Sequence, residues 1–371
     1  MTDSILGPCF TLTPSIEAAL GVIGQQDWLI SHMLLMPKHQ AWIRRDVRTS
    51  RAHATTAIEG EGVSHEAVRR LARRGGGLPA DDAERANLNA LQAYEFVDYV
   101  ADRHDVPIDE FVIGELNRNF MRGAADILTP GVYRKGQNEV RGYMPPNAGD
   151  VPVLMRAFSN WLVQDNDVHS ILKACLAHIH LVAIHPFWDG NGRSGRALMT
   201  LLLQRSSPAS GRVLSIEATA HAMRDEYFTA IEATLGRRFD ADYDATPWLE
   251  YAMKLVSVSA TAVTDRLTAW HRMMEDIHAA GEEAGLLERH VDGLALAMQT
   301  GRITRGDYIE ITGVSPVTAS RDLGYLVALG LLQARGRTRS RAYVFVGPGS
   351  GARPEDRVPD EQGRLPIDPG G

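Results

Sequence analysis

The sequence predicts a mainly α-helical fold with a β-hairpin beside its most polar motif and a small mixed module near the C-terminus. Three observations carry that expectation. Apolar residues recur at helical spacing on both sides of the stretch His185 to Arg196: Ile171, Leu172, Cys175, Leu176, Ile179 and Val182 precede it, and Leu198, Leu201 and Leu202 follow it. The same period runs through Glu84, Asn87, Leu88, Leu91, Tyr94 and Val97, and again from Val256 to Met274. Strand-like segments are short and bounded by Gly and Pro.

Taken in order, residues 1–110 read as a helical N-terminal region. In it, Thr55-Thr56-Ala57-Ile58-Glu59-Gly60 closes a helix on which Thr55 and Glu59, four apart, share a face and Gly60 is the stop. Residues 111–283 hold a hairpin, the polar stretch and closing helices that include Trp248-Leu249-Glu250-Tyr251. Residues 284–346 form a separate unit, and residues 347–371, with clustered Gly, Pro and charge, read as a disordered tail. The chain has 371 residues, 44% of them hydrophobic, which is enough for a large core in two or three domains.

The polar stretch is His185-Pro186-Phe187-Trp188-Asp189-Gly190-Asn191-Gly192-Arg193-Ser194-Gly195-Arg196. Gly190 and Gly192 let the backbone turn and bring amide N–H groups to an anion at the start of the following helix, where the helix dipole adds positive charge. Arg193 and Arg196 supply forked, charge-assisted donors to phosphate oxygens. Asp189 offers the hard oxygen that Mg²⁺ prefers, and His185 is the residue type that accepts a proton at neutral pH. The chemistry this points to is binding and cleavage of a nucleotide phosphate.

Other patterns fit less well. Gly190 to Gly195 spells G-x-G-x-x-G, with Glu217 about 20 residues on, but a dinucleotide fingerprint follows a strand and here a helix precedes it. Asp-Gly and Asn-Gly are hairpin signals, yet the flanks have helical period. A zinc site of His178, His180, His185 and Asp189 lacks any His-Glu-x-x-His or Cys-x-x-Cys pattern, so His178 and His180 read as ordinary helix residues.

At every specified position, His185 to Arg196 resembles the Fic signature H-P-F-x-[D/E]-G-N-G-R-x-x-R. The resemblance implies a Fic helical bundle that binds Mg·ATP and moves AMP onto a Ser, Thr or Tyr hydroxyl of a target protein, or of itself, releasing pyrophosphate. It makes His185 the base and Asp189 the Mg²⁺ ligand. Gly190, Asn191, Gly192, Arg193, Gly195 and Arg196 then hold the phosphates. Asp225-Glu226-Tyr227-Phe228 resembles the helix whose aromatic pair flanks adenine, with Tyr227 as the ATP contact. An Asn frequent four residues before the first aromatic is replaced by Met223. Pro130 to Arg134 and Gly142 to Pro146 look like the two sides of the family's flap, whose main chain pins the target, with Tyr133, Arg134 and Tyr143 as its contacts. Thr55 to Gly60 resembles the inhibitory [S/T]-x-x-x-E-[G/N] motif, whose Glu, here Glu59, pairs with Arg196 and displaces the γ-phosphate. Triphosphate then binds with its α-phosphorus turned from in-line attack.

In the C-terminal unit, a helix opens at Ile303, Gly313-Val314-Ser315 turns, a second helix starts at Thr318, and two strand-like segments, Leu331 to Ala334 and Ala342 to Val346, follow. This resembles a winged helix-turn-helix. Seven arginines against three carboxylates give residues 301–346 a net charge of +4, opposite to the −7 of the whole chain. DNA binding through Thr318, Ser320, Arg321, Arg337 and Arg339 is one reading, and protein docking or homodimerisation is the other.

The negative balance argues against wholesale nucleic-acid coating. The first 30 residues lack a signal-peptide pattern and no apolar run approaches about 18 residues, so a cytoplasmic protein without a membrane partner is expected. Two cysteines, Cys9 and Cys175, make no disulfide framework. Two function classes remain: a self-inhibited AMP-transferring enzyme using ATP and Mg²⁺, and a DNA-binding regulator whose core senses nucleotide. An intact His185 favours the first, and removal of AMP at the same site stays open.

Overall fold

The computed structural model describes residues 9–33, 37–74, 78–124, 129–164, 167–207, 209–336 and 341–346. The expected tail over 347–371, and Arg337 and Arg339, lie outside the described residues. Two compact units divide the chain, Met1–Thr264 and Asp265–Gly371. Residues 1–110 and 111–264 of the expected regions fall in the first unit and residues 265–283 in the second, so the division lies inside one helix.

The first unit is helical. α1 (Pro14–His32) starts on a Thr13 cap, α2 (Pro37–Ile58) follows, and α3 (His65–Arg74) and α4 (Asp82–Ala101) complete the N-terminal part. Then come α5 (Glu110–Phe120), α6 (Val151–Val163), α7 (Ser170–Ile184) and α8 (Asn191–Ser206). α9 (Ile216–Ala222), α10 (Arg224–Leu235) and α11 (Thr246–Ala284) close the series. The segments read as separate helices around Trp248 and over Val256 to Met274 are one, because no Gly or Pro interrupts the period between them.

α7 and α8 make the most extensive helix pairing and form the centre of the core. Ile171, Leu172, Cys175, Leu176 and Ile179 on α7, and Leu198 and Leu201 on α8, are all buried, as the period requires. α7 is buried on nearly every side, so its two histidines are internal. His178 Nε2 bonds Tyr227 Oη at 3.0 Å and its ring stacks on Trp248. His180 Nδ1 bonds Tyr243 Oη at 2.5 Å. Burial lowers both imidazole pKa values, that of His180 to about 3. α2 packs on α4 and α9, which lays its C-terminal end against the start of α8.

The second unit holds α12 (Glu288–Thr300), β1 (Ile303–Thr304), α13 (Arg305–Thr312), α14 (Pro316–Ala328), β2 (Leu332–Arg335) and β3 (Ala342–Phe345). Its antiparallel sheet has the order β1-β3-β2, with Ile303 opposite Tyr343 and Ala334 opposite Tyr343 on the other side. The expected helix start at Ile303 is thus corrected: Ile303 and Thr304 pair with β3, and Thr304 then caps α13 in a reciprocal bond with Asp307. Ser315 caps α14 and Pro316 fills its first turn. Ser320 and Arg321 are exposed on α14, whereas Thr318 is half-buried with its hydroxyl 3.0 Å from Ser315 Oγ.

Candidate active site

α7 ends on His185, which takes a left-handed conformation (φ 49°) that few non-glycine residues adopt. Three contacts hold it there. Its N–H donates to Leu181 O at 2.9 Å, its carbonyl accepts Arg134 Nε at 2.9 Å, and its Nδ1 faces Val182 O at 3.3 Å. With Nδ1 donating, Nε2 keeps its lone pair. Burial lowers the imidazole to about 4, so the ring is neutral at physiological pH.

The loop that follows is closed by Asn191, whose side-chain amide accepts from Phe187 N and donates to Phe187 O, both at 2.9 Å. Gly190 precedes α8 at φ 77°, and a Cβ there would lie 2.7 Å from Met121 Sδ and 2.9 Å from Asn117 Nδ2, so only glycine fits. No side chain caps α8, and its first-turn N–H groups, Asn191 to Arg193, have no acceptor within the helix. That end is an anion cradle. Gly192 lets a carboxylate approach, since a Cβ there would sit 2.9 Å from Glu59 Oε1.

Every guanidinium nitrogen of Arg196 is engaged. Nε donates to Thr55 Oγ1 at 3.0 Å, one terminal nitrogen to Tyr227 Oη at 3.1 Å, and the other to Thr55 O at 3.1 Å and Glu59 Oε1 at 2.7 Å. Burial alone would raise the Glu59 carboxyl, but the Arg196 charge outweighs it and holds the group below its usual range. Arg193, also buried, bonds Glu61 Oε2 at 2.5 Å and Asp189 Oδ2 at 3.3 Å. Asp189 itself is half exposed at the rim, its Oδ1 accepting from Gly190 N.

Glu59, His185, Asp189, Gly190, Asn191, Gly192 and Arg196 line one cleft of about 380 Å³ with Arg141, Gly142, Trp188, Tyr227, Phe228 and Ile231. Arg141 stacks over Phe228, 3.8 Å from the ring centre. The exposed Asp189 carboxylate beside the anion cradle fits Mg²⁺, which takes one or two carboxylates and completes its shell with phosphate oxygens and water.

Several residues stand elsewhere than the sequence suggested. The side chain of Asn191 is used in closing the loop, not free for phosphate. Gly195 lies inside α8 against the His178 ring, where a Cβ would come within 3.3 Å, so its role is helix packing. Tyr227 lines the cleft from a buried position, its hydroxyl accepting from Arg196, and Phe228 lines the cleft beside it. The flap is a one-bridge hairpin, Val140 with Tyr143, turned by Arg141 and Gly142, both at positive φ. Pro130 to Arg134 is not its second side. Arg134 is buried, with further bonds to Gly136 O and Pro146 O, and so pins the loop carrying His185. Tyr143 is buried with its hydroxyl on Ala183 O at 2.8 Å, and Tyr133 donates to Glu110. The polar tips of all three are held by partners within the fold, while Tyr143 also lines the cleft. Sequence reasoning did not single out Glu61 or Arg141, neither of which carries a local signal.

Comparison with known proteins agrees with this geometry. Residues 107–203 match the Fic/DOC family, so the chain carries a Fic domain. Protein adenylyltransferase Fic of Drosophila mojavensis is 46% identical over 94 residues, 25% of this chain and 18% of that relative. The Drosophila melanogaster protein of the same name is 41% identical over 104 residues, 28% and 20%. The chain thus spans about a fifth of the length of these curated relatives. In fold it is similar to a Fic family protein from Desulfovibrio desulfuricans (TM-score 0.60, 22% identity, covering 94% of this chain and 100% of that one). It is also similar to Fic-1 of Caenorhabditis elegans, residues 134–508 (TM-score 0.56, 22% identity, 69% and 72%).

Proposed function

We propose that this protein transfers AMP from ATP to a hydroxyl of a target protein, or of itself, and that Glu59 restrains the reaction. The observation that carries the reading is the neutral, lone-pair-bearing His185 in the same cleft as the uncapped start of α8. In the reaction, His185 Nε2 accepts the proton of a Ser, Thr or Tyr hydroxyl. The hydroxyl oxygen bonds to the α-phosphorus, the α–β bridging bond breaks, and pyrophosphate leaves. Asp189 would hold Mg²⁺, which when bound neutralises charge on the phosphates. The N–H groups of Asn191, Gly192 and Arg193 and the guanidinium of Arg193 bind the inner phosphates, and Arg196 the γ-phosphate once Glu59 withdraws. The adenine base would stack on Phe228 in place of Arg141, which covers that ring at 3.8 Å.

The test is His185→Ala, which removes the base and leaves every phosphate contact in place. Labelling should fall by ~10²–10⁴-fold with Mg·ATP affinity unchanged. Undiminished labelling would sink the mechanism.

A second reading concerns the C-terminal unit: double-stranded DNA held by Ser320 and Arg321 on α14. Their exposure on a helix whose neighbour supplies Arg305, 3.5 Å from Ser320 Oγ, supports it. Arg321→Ala should weaken binding to duplex DNA and flatten its salt dependence by about one unit of log–log slope. No salt-dependent affinity in the wild type would leave protein docking as the role.

A further inference from the structure

A second carboxylate, Glu61, reaches Arg193 in the first turn of α8, and the way α2 ends puts it there. Gly60 N–H donates to Ala57 O at 3.1 Å and Glu61 N–H to Thr56 O at 3.0 Å, with Gly60 left-handed at φ 88°. This is a Schellman termination. It turns the chain so that Glu59, at the cap, and Glu61, two residues on, both reach the first turns of α8. The Glu61 carbonyl is fixed as well, accepting Asn87 Nδ2 at 3.1 Å from α4.

Each arginine of the motif meets one of the two: Glu59 meets Arg196 at 2.7 Å and Glu61 meets Arg193 at 2.5 Å, with Asp189 Oδ2 3.3 Å from the Arg193 guanidinium as well. The Arg193 side chain is only 5% exposed, and its Nε is buried without an acceptor among the described residues. The guanidinium therefore has a donor that the protein does not use, and an anion with several oxygens is the ligand that would take it.

We propose that Glu61 is a second competitor of the nucleotide's phosphates, holding Arg193 as Glu59 holds Arg196, so that a polyphosphate displaces two carboxylates presented by one helix cap. The inference rests on the nucleotide-binding reading of the cleft. Its consequence is a division of labour. Removing Glu59 frees Arg196 for the outermost phosphate, and removing Glu61 takes from Arg193 its shorter carboxylate contact, leaving only Asp189 at 3.3 Å to compete with the inner phosphates. A nucleoside diphosphate, which lacks the outermost phosphate, therefore reports on Glu61.

Calorimetric titration of the full chain with ADP tests this, using wild type, Glu61→Gln, Glu61→Asp, and each of these combined with Arg193→Ala. Glu61→Gln should bind ADP about tenfold more tightly, the scale expected when a competing charge-assisted hydrogen bond is removed. Glu61→Asp should also bind more tightly, because the shorter side chain keeps its charge but loses the guanidinium. Adenosine affinity should not move, and the gain should vanish with Arg193→Ala. The proposal is overturned if Glu61→Gln stays within about twofold of wild type, if the gain survives Arg193→Ala, or if adenosine gains equally. It is also overturned if Glu61→Asp matches wild type while Glu61→Gln gains, which would be a long-range charge effect. Should the affinity pattern hold while no variant transfers AMP, the transfer reading fails and the competition stands. Absence of ADP binding in every variant removes both.

Discussion

Gly60→Ala is the substitution that most directly asks whether the cap of α2 sets the state of the cleft. Gly60 sits at φ 88°, and a Cβ at this position would meet nothing within 4 Å. The cost is therefore backbone strain without a steric clash, about 1–2 kcal/mol for a residue with a Cβ held left-handed. In a unit of this size each kcal/mol lowers Tm by about 2–4 °C, giving an expected fall of roughly 2–8 °C. The chain can relieve the strain by unwinding the cap, which breaks the Glu61 N–H bond to Thr56 O and lets Glu59 and Glu61 leave Arg196 and Arg193. Differential scanning calorimetry with and without Mg·ATP reads both effects. The variant should melt lower without ligand, bind ATP more tightly than wild type, and regain more Tm on adding it. Gly60→Asn, which tolerates this conformation, should lie between the two. A lower Tm with unchanged or weaker ATP affinity would refute the link between cap and cleft.

Three further outcomes follow from the same contacts. Glu59→Gly should raise ATP affinity and auto-modification together, and Glu59→Gly with Arg196→Ala should lose the gain in both binding and labelling assays, since the pair is coupled across 2.7 Å. Because burial lowers His185 to about 4, initial rates should be flat from pH 8 down to pH 6 in a stopped-time labelling series. A protonation limb near the ordinary histidine value of about 6.5 would contradict the buried, neutral base. His180, held neutral by burial at about 3, lets the unfolded chain bind a proton that the folded chain refuses. Its contribution is whole above the unfolded value of about 6.5 and falls by ~1.4 kcal/mol per pH unit below it. Urea unfolding at pH 7 and pH 5 should show the lower stability at pH 5, and equal stability would contradict the burial of neutral imidazole.

The helix–loop–helix of α7 and α8 was legible because its apolar period is unbroken on both sides and its polar residues are contiguous. Glu59 facing Arg196 lies 137 residues away, and only the resemblance joined them. Glu61 was not legible: its position depends on a chain reversal at Gly60, and nothing in the letters says which way the turn delivers it. The inward placement of Arg134 and Tyr143 was hidden for a related reason. A Gly- and Pro-rich stretch reads locally as surface, whereas the partners that bury Arg134 are carbonyls of His185, Gly136 and Pro146, brought together only by the fold. β1 has two residues, too few to show any period, and its pairing partner is 40 residues away. The unit boundary inside α11 was invisible because the helical pattern runs through it without a break.

The central claim is that this cleft moves the α-phosphoryl group of ATP, as AMP, onto protein. Glu59→Gly, incubated with Mg²⁺ and ATP labelled either at the α-phosphate or at the γ-phosphate, tests it most directly. The account predicts covalent label on the protein from α-labelled ATP alone, with the γ-label recovered as pyrophosphate and no α-label when His185→Ala is added. Label retained from γ-labelled ATP, or no protein label from either, would contradict it.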